Sequence, residues 1–339
     1  MKALIRGYRN FPGEHCGSSS MRGLLLHYCG LELPEDAVFG LASGVASVYM
    51  TGPGLDPAHL LFGRGFHIET DLADTLQIDY REAPEPDDDV AWQSVRAEVV
   101  AGRPTMLSGD IFYLDYREYK VHFPGHRFVL LGFDDETEKV AIADRINVEP
   151  EFCSYGALRI SRNPPEGMST HNLWGKFHGT DVGRTLVDAA RVAIEKCRSA
   201  MLNEAEPEGG LEPGGGISVA LGIEGTRKFA ESLPAWADRD DAPWLASYNA
   251  RCIEKFGNGG GNFRRLYAGF LDWARALDAS LVPAGVGARM REAADGWTAI
   301  SEDLITVSKD PTRVELWGSA RKKALEIADR EEEIFRSLG

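Results

Sequence analysis

His126-Arg127-Phe128-Val129-Leu130-Leu131-Gly132-Phe133, Asp134-Asp135-Glu136-Thr137-Glu138 and Lys139-Val140-Ala141-Ile142-Ala143-Asp144 follow one another without a break. Two apolar runs joined by a short, polar, turn-prone run predict an antiparallel hairpin. Thr105-Met106-Leu107-Ser108 predicts a short strand before it. Upstream the texture is helical. From Cys16, apolar Met21, Leu24, Leu25 and Tyr28 recur at three- and four-residue spacing, and Gly30 suits a helix stop. A second helix is expected over residues 89–101, with Val90, Val95, Val99 and Val100 on or near its inner side and Gly102 and Pro104 ending it. Helices first and strands afterwards predict an α+β fold with an antiparallel sheet, not a doubly wound sheet.

The remainder reads differently. Asn163-Pro164-Pro165-Glu166-Gly167 reads as a linker. Helical periodicity follows over 182–201, 262–277, 286–299 and 313–338, so 339 residues divide into an expected domain at 1–160 and a mainly α-helical domain at 170–339. The Gly- and Pro-rich 207–216 stretch lacks the GxxxxGK[ST] ending of a phosphate loop and reads as a mobile loop.

Composition narrows the function. There are 37 Lys+Arg against 52 Asp+Glu, a formal net charge of −15. That balance argues against nucleic acid as a partner, because a phosphate-backbone binder needs a basic footprint. No apolar run approaches the ~18 residues of a membrane span, and the N-terminal apolar stretch is too short for a secretion signal. Five cysteines without paired spacing suggest neither a disulfide framework nor a zinc site. No HExxH pattern occurs, so no metal and no cofactor are expected. A cytoplasmic, reduced protein with no membrane partner is the expectation; a homo-oligomer is left open.

Cys16 is the candidate nucleophile. Gly13 and Gly17 flank it and let the backbone turn sharply. A helix beginning there offers free N–H groups and partial positive charge, which favour a thiolate and can hold an oxyanion. The alternative is a small buried residue under a helix start. Cys29, Cys153, Cys197 and Cys252 sit in helical text or near the linker, in settings that favour core or incidental roles. A thiol needs a base. His126, after Pro124-Gly125, stands where a strand begins, on a rigid element at the sheet margin. Asp144 ends the paired strand, where its carboxylate could orient the imidazole. Against this, His126 and Asp144 also read as a hydrogen-bonded margin residue and a turn former. His122 is the fallback base, and His15 is poorly placed to face the neighbouring sulfur.

Taken together, His15-Cys16-Gly17-Ser18-Ser19-Ser20, Leu24-Leu25-Leu26-His27-Tyr28-Cys29-Gly30-Leu31 and Val38-Phe39-Gly40-Leu41-Ala42-Ser43-Gly44 resemble the butirosin-biosynthesis protein H N-terminal family. So does Gly125-His126-Arg127-Phe128-Val129-Leu130-Leu131-Gly132-Phe133-Asp134-Asp135 with Val140-Ala141-Ile142-Ala143-Asp144, a block that also resembles the His/Asp half of papain-like peptidases. Gly259-Gly260-Gly261-Asn262-Phe263-Arg264-Arg265-Leu266 resembles the uncharacterised helical domain that accompanies the family. The resemblance implies a papain-like fold used for acyl transfer from a carrier-protein thioester to an amine. It makes Cys16 the nucleophile, His126 the proton carrier and Asp144 its orienting acid. Papain-like enzymes carry an oxyanion-hole Gln about six positions before the Cys; Asn10 stands there, one methylene shorter, and the Cys16 and Gly17 N–H groups would share that work.

Weaker candidates surround these. Asp110 and Tyr113, in Gly109-Asp110-Ile111-Phe112-Tyr113-Leu114-Asp115-Tyr116, could line a pocket for a cationic amine, or form a half-buried strand with an acidic outer face. Arg64 could meet an anionic carrier arm, or serve surface solvation. Gly259, Gly260 and Gly261 could be a hinge, a close backbone approach or a simple loop before a helix. The expected function is a cysteine-dependent N-acyltransferase of specialised metabolism. Its expected partners are an acyl-thioester donor, such as an acyl carrier protein, and a small amine acceptor. A cysteine peptidase or amidohydrolase with the same three residues is the first alternative, and a non-catalytic binding protein that keeps the fold is the second.

Overall fold

A computed structural model describes residues 1–204 and 216–339. The elements run β1 (Lys2–Leu4), α1 (Cys16–Cys29), α2 (Glu35–Leu41), β2 (Val45–Thr51), β3 (His59–Arg64), α3 (Ile68–Leu76), β4 (Tyr80–Ala83), α4 (Asp88–Val100) and β5 (Thr105–Gly109). A 3-10 turn at Ile111–Tyr113 precedes β6 (His126–Asp134), β7 (Lys139–Ala143), β8 (Glu151–Ser154), α5 (Tyr155–Arg162) and β9 (Trp174–Phe177). Then come α6 (Leu186–Met201), β10 (Ser218–Leu221), α7 (Gly222–Trp236), α8 (Ala242–Glu254), α9 (Arg264–Leu277), α10 (Val286–Lys309) and α11 (Glu315–Arg336). Every strand pairing among the described residues is antiparallel, and the C-terminal part is mainly helical, so the class is α+β. No helix among the described residues is long and apolar enough to cross a membrane.

The first compact unit comprises Met1–Val38 and Glu69–Arg184. Its seven-stranded sheet has the order β4-β9-β5-β6-β7-β8, with β1 also pairing β6. The expected hairpin is β6–β7, closing from Asp134↔Lys139 up to Val129↔Ala143, with a register shift between Leu130 and Gly132. Carried one residue further, that register sets Asp144 level with Phe128, two residues from His126. Phe128, Leu130, Val140 and Ile142 pack with Val95 and Val99 of α4 into one apolar core. The sheet is therefore anchored beneath the end that carries His126.

The second unit comprises Phe39–Ile68 and Thr185–Gly339. A three-stranded sheet, β10-β2-β3, lies in it with α6 to α11. Trp236, Trp297, Phe229 and Trp317 share an apolar core. Arg264 and Glu331, both fully buried, pair at 2.8 Å; Arg264 Nη1 also donates to the carbonyls of Ala46, Gly63 and Asn262, and Trp297 Nε1 donates to Glu331 Oε1. Ahead of α9, Gly259, Gly260, Gly261, Asn262 and Phe263 all have positive φ, between 54° and 79°. A Cβ at Gly261 would stand 2.6 Å from Ala294 Cβ, so this loop is a close backbone approach to α10.

Each unit is assembled from two stretches of the chain. Residues 39–68 sit with the second unit, because β2 and β3 complete their sheet with β10. The 163–167 stretch lies within the first unit, with Pro164 buried and residues 165–167 exposed. The chain returns after it to place β9 between β4 and β5. Trp174–Phe177 is four residues long and finds its strand character only in those two neighbours. The 207–216 stretch lies outside the described residues except for Gly216.

Candidate active site

Cys16 opens α1, and the chain leading into it is pinned at several points. His15 is the N-cap residue: its Nδ1 accepts the Ser18 N–H at 3.2 Å, and its carbonyl accepts the Ser19 N–H at 2.9 Å. The Gly17 N–H has no acceptor among the described residues and remains available at the helix end. Glu35 accepts the Glu14 and His15 N–H groups at 2.9 and 2.8 Å and the Ser18 hydroxyl at 3.1 Å. Burial pushes the Glu35 carboxyl up, and these donors offset part of that. A Cβ at Gly13 would stand 2.6 Å from both Glu35 Oε2 and Ser19 Oγ, so the tight approach requires glycine.

His126 begins β6, paired with Gly109 of β5. Its Nε2 lies 3.1 Å from each Asp144 carboxylate oxygen, and its ring also hydrogen-bonds the Cys16 side chain. Cys16, His126 and Asp144 are 6%, 5% and 2% exposed, so the three meet almost out of water. Burial by itself would lower the imidazole. The Asp144 charge and hydrogen bond, with the Cys16 hydrogen bond, outweigh it and hold His126 at about 10. Burial would raise Asp144, but His126, the Tyr116 hydroxyl and the Arg145 N–H together keep it below the usual carboxylate range.

The remaining sequence candidates divide. Gly17 follows Cys16 on α1, beneath the His15 ring and the Glu69 carboxylate. Asn10 does not point at the sulfur: its Nδ2 donates to Asp144 O at 2.6 Å and to Asn147 O at 2.7 Å. Both amide hydrogens are spent on backbone, so it docks the N-terminal segment on the end of β7 and leaves no donor for an oxyanion. Asp110 is 3% exposed and committed: it accepts the Phe112 and Phe123 N–H groups at 3.0 and 2.8 Å, and its other oxygen lies 2.7 Å from His122 Nδ1. It caps a turn and orients His122, with little left for an amine. Tyr113 is half-buried, its ring packed edge-on against Phe112 and His122. Arg64 lies on β3 of the second unit, where Nη1 donates to Gly65 O at 2.7 Å.

The other thiols are poorly set up for chemistry. Burial pushes Cys153 and Cys252 up to about 12, and burial with the Asp181 charge pushes Cys29 up to about 11. Among the described residues no group of three or more His, Cys, Asp and Glu is arranged to hold a metal ion.

Two contributors were not assigned their roles from sequence. Tyr116 donates its hydroxyl to Asp144 Oδ2 at 2.6 Å, and burial followed by the Asp144 charge pushes its phenol far up, so it stays a donor. Gly13 N–H donates to Arg145 O at 2.7 Å, joining the Cys16 approach to the residue after Asp144. Tyr116 is legible only as part of an aromatic run, and a backbone tie leaves no mark on residue type.

Comparison with known proteins divides the chain in two. Residues 15–145 match the model for butirosin biosynthesis protein H, N-terminal, and residues 159–338 match a domain of unknown function (DUF4872). No curated protein matches the chain. The first match begins one residue before Cys16 and ends one residue after Asp144, so this part of the chain is similar to butirosin biosynthesis protein H, N-terminal; the second match takes in more than half of the sequence, and the chain belongs to the DUF4872 family.

Proposed function

We propose that the protein is a cysteine-dependent acyltransferase that forms an amide by way of an acyl-Cys16 intermediate. The observation that carries this reading is the double engagement of His126, with Asp144 on Nε2 and Cys16 hydrogen-bonded to the same ring. A helix-borne Cys, a His opening a strand of an antiparallel sheet and an acid ending the next strand also support a papain-like arrangement. The family's name ties its namesake to butirosin biosynthesis, which supports a place in specialised, antibiotic-type metabolism.

The proposed chemistry balances without a cofactor. An imidazolium beside sulfur favours Cys16 as thiolate. The thiolate attacks the thioester carbonyl, and the Cys16 and Gly17 N–H groups at the helix end hold the oxyanion. The donor thiolate leaves and takes the His126 proton. An amine then attacks the acyl-Cys16 carbonyl while neutral His126 accepts its proton. Collapse releases the amide and restores the Cys16 thiolate beside imidazolium. Thioester exchange is nearly isoenergetic, whereas amide formation is downhill, so the amine step gives direction. Exclusion of water from the buried trio favours transfer over hydrolysis.

Intact-mass spectrometry tests this. Wild-type protein incubated with a short-chain acyl thioester gains one acyl mass, Cys16→Ala gains none, and a primary amine chases the adduct into amide. Equal labelling of wild type and Cys16→Ala refutes the nucleophile. Loss of the adduct to water at the same rate with and without amine assigns hydrolysis instead.

A further inference from the structure

Outside the Cys16 cluster, the first unit encloses a cavity of about 140 Å3 against which Arg162 lies with Trp92, Tyr155 and Leu158. Arg162 is 2% exposed. Among the described residues one of its five N–H groups has an acceptor: Nη2 donates to Asn172 O at 3.1 Å, while Nε is buried with none. Among the described residues no carboxylate forms an ion pair with it. Asp88, also on the cavity wall, is already held by the Asn163 and Asn172 amides at 2.8 and 2.9 Å and by Arg159 at 3.2 Å. Burial pushes the guanidinium down to about 10, which leaves it charged at neutral pH. A buried cation with idle donors beside a largely apolar cavity is costly unless an anion meets it.

We propose that this cavity binds a small monocarboxylate, whose apolar body lies against Trp92, Tyr155 and Leu158 and whose carboxylate accepts from the Nη end of the Arg162 guanidinium. A planar fork of donors matches carboxylate geometry. The volume is close to that of a cavity able to take one benzene ring, about 150 Å3, so the ligand is no larger than a six-membered ring or a short branched chain. Arg159 is already shared between Asp88 and Asp89, at 3.2 and 2.7 Å, so Arg162 is the one cation of the wall without an ion-paired carboxylate among the described residues, which suits a monoanion better than a phosphate dianion. Cys16, His126 and Asp144 do not line the cavity, so this site goes beyond the acyl-transfer reading and does not depend on it.

Calorimetry on the full chain tests the assignment with benzoate, neutral benzamide and inorganic phosphate. Benzoate should bind with a Kd below about 1 mM, and benzamide and phosphate at least about tenfold more weakly. Arg162→Met should weaken benzoate by at least about tenfold. Because that variant removes a buried tie to Asn172 and could fail to fold, Trp92→Phe supplies a second test: the fluorescence response to benzoate seen in wild type should shrink while calorimetric affinity stays within about threefold. Absence of benzoate binding up to about 10 mM, equal binding of benzamide, tighter binding of phosphate, or an undiminished fluorescence response in Trp92→Phe each overturns the proposal. So does wild-type affinity in folded Arg162→Met.

Discussion

Tyr116 and His126 converge on one carboxylate: the Tyr116 hydroxyl donates to Asp144 Oδ2 at 2.6 Å, and His126 Nε2 lies 3.1 Å from the same oxygen. Asp144 is thus held from two sides, and its backbone carbonyl is held by Asn10. Tyr116→Phe deletes one charge-assisted hydrogen bond and leaves the ring. Such bonds contribute about 1.5–3 kcal/mol, so the rate of Cys16 acylation should fall by about tenfold or more. The readout that separates positioning from general structure is the pH profile: with Asp144 less stabilised as the anion, the acidic limb of the acylation rate should move to higher pH. An unchanged limb with an unchanged rate would remove Tyr116 from the relay.

Asn10 separates an oxyanion donor from a tether. Deleting a true oxyanion-hole donor costs about 10²–10³ in rate. With both amide hydrogens on the carbonyls of Asp144 and Asn147, Asn10→Ala should instead lower stability by about 2 kcal/mol, through one buried and one part-buried acceptor left without that partner. Acylation by the fraction that remains folded should fall less than about tenfold. Urea unfolding and single-turnover acylation on the same preparation check this, and a rate loss of about a hundredfold at unchanged stability would restore Asn10 to the oxyanion hole.

The His126–Asp144 pair predicts a pH-dependent stability. His126 is raised to about 10, so its contribution is complete below the free imidazole value of about 6.5 and is lost as pH rises through about 10. Asp144 is lowered, so its contribution is complete above the free carboxyl value of about 3.9 and is lost only as pH falls toward its lowered value. The pair therefore stabilises most between about pH 4 and 6.5. Between about pH 6.5 and 10, the unfolding temperature of wild type should drop more steeply than that of Asp144→Asn, in which the imidazole loses its charged partner. Parallel curves would show that the pair carries no such linkage.

In the second unit, Glu331 is fully buried against Arg264 and Trp297 Nε1. Removing one partner leaves an uncompensated buried charge, so Glu331→Ala should cost about 3–5 kcal/mol. Arg264→Met with Glu331→Leu should cost less than the single change. Guanidinium unfolding of both variants checks the order, and a double variant worse than Glu331→Ala would show that Arg264's bonds to the carbonyls of Ala46, Gly63 and Asn262 matter more than the ion pair.

Local pattern alone was enough for the elements that carry the chemistry. The α1 stripe begins at Cys16 and ends at Gly30 because apolar spacing and a left-handed cap are properties of neighbouring residues. The β6–β7 hairpin needs only two apolar runs and a polar turn. That is why Cys16, His126 and Asp144 could be nominated as a set. What local pattern does not encode is partnership between distant segments. Strand β9 exists through β4 and β5, β2 and β3 through β10, and residues 39–68 join the second unit for that reason. Asn10 reads as a truncated glutamine until the carbonyls of Asp144 and Asn147 claim its amide, and Asp110 reads as a free acid until two N–H groups and His122 occupy it. A hydrogen-bonding side chain is a capacity. Residue type and spacing determined which capacities this chain has, and only the tertiary structure decided where each is used, because a donor or acceptor serves whichever partner the packed backbone brings within about 3 Å.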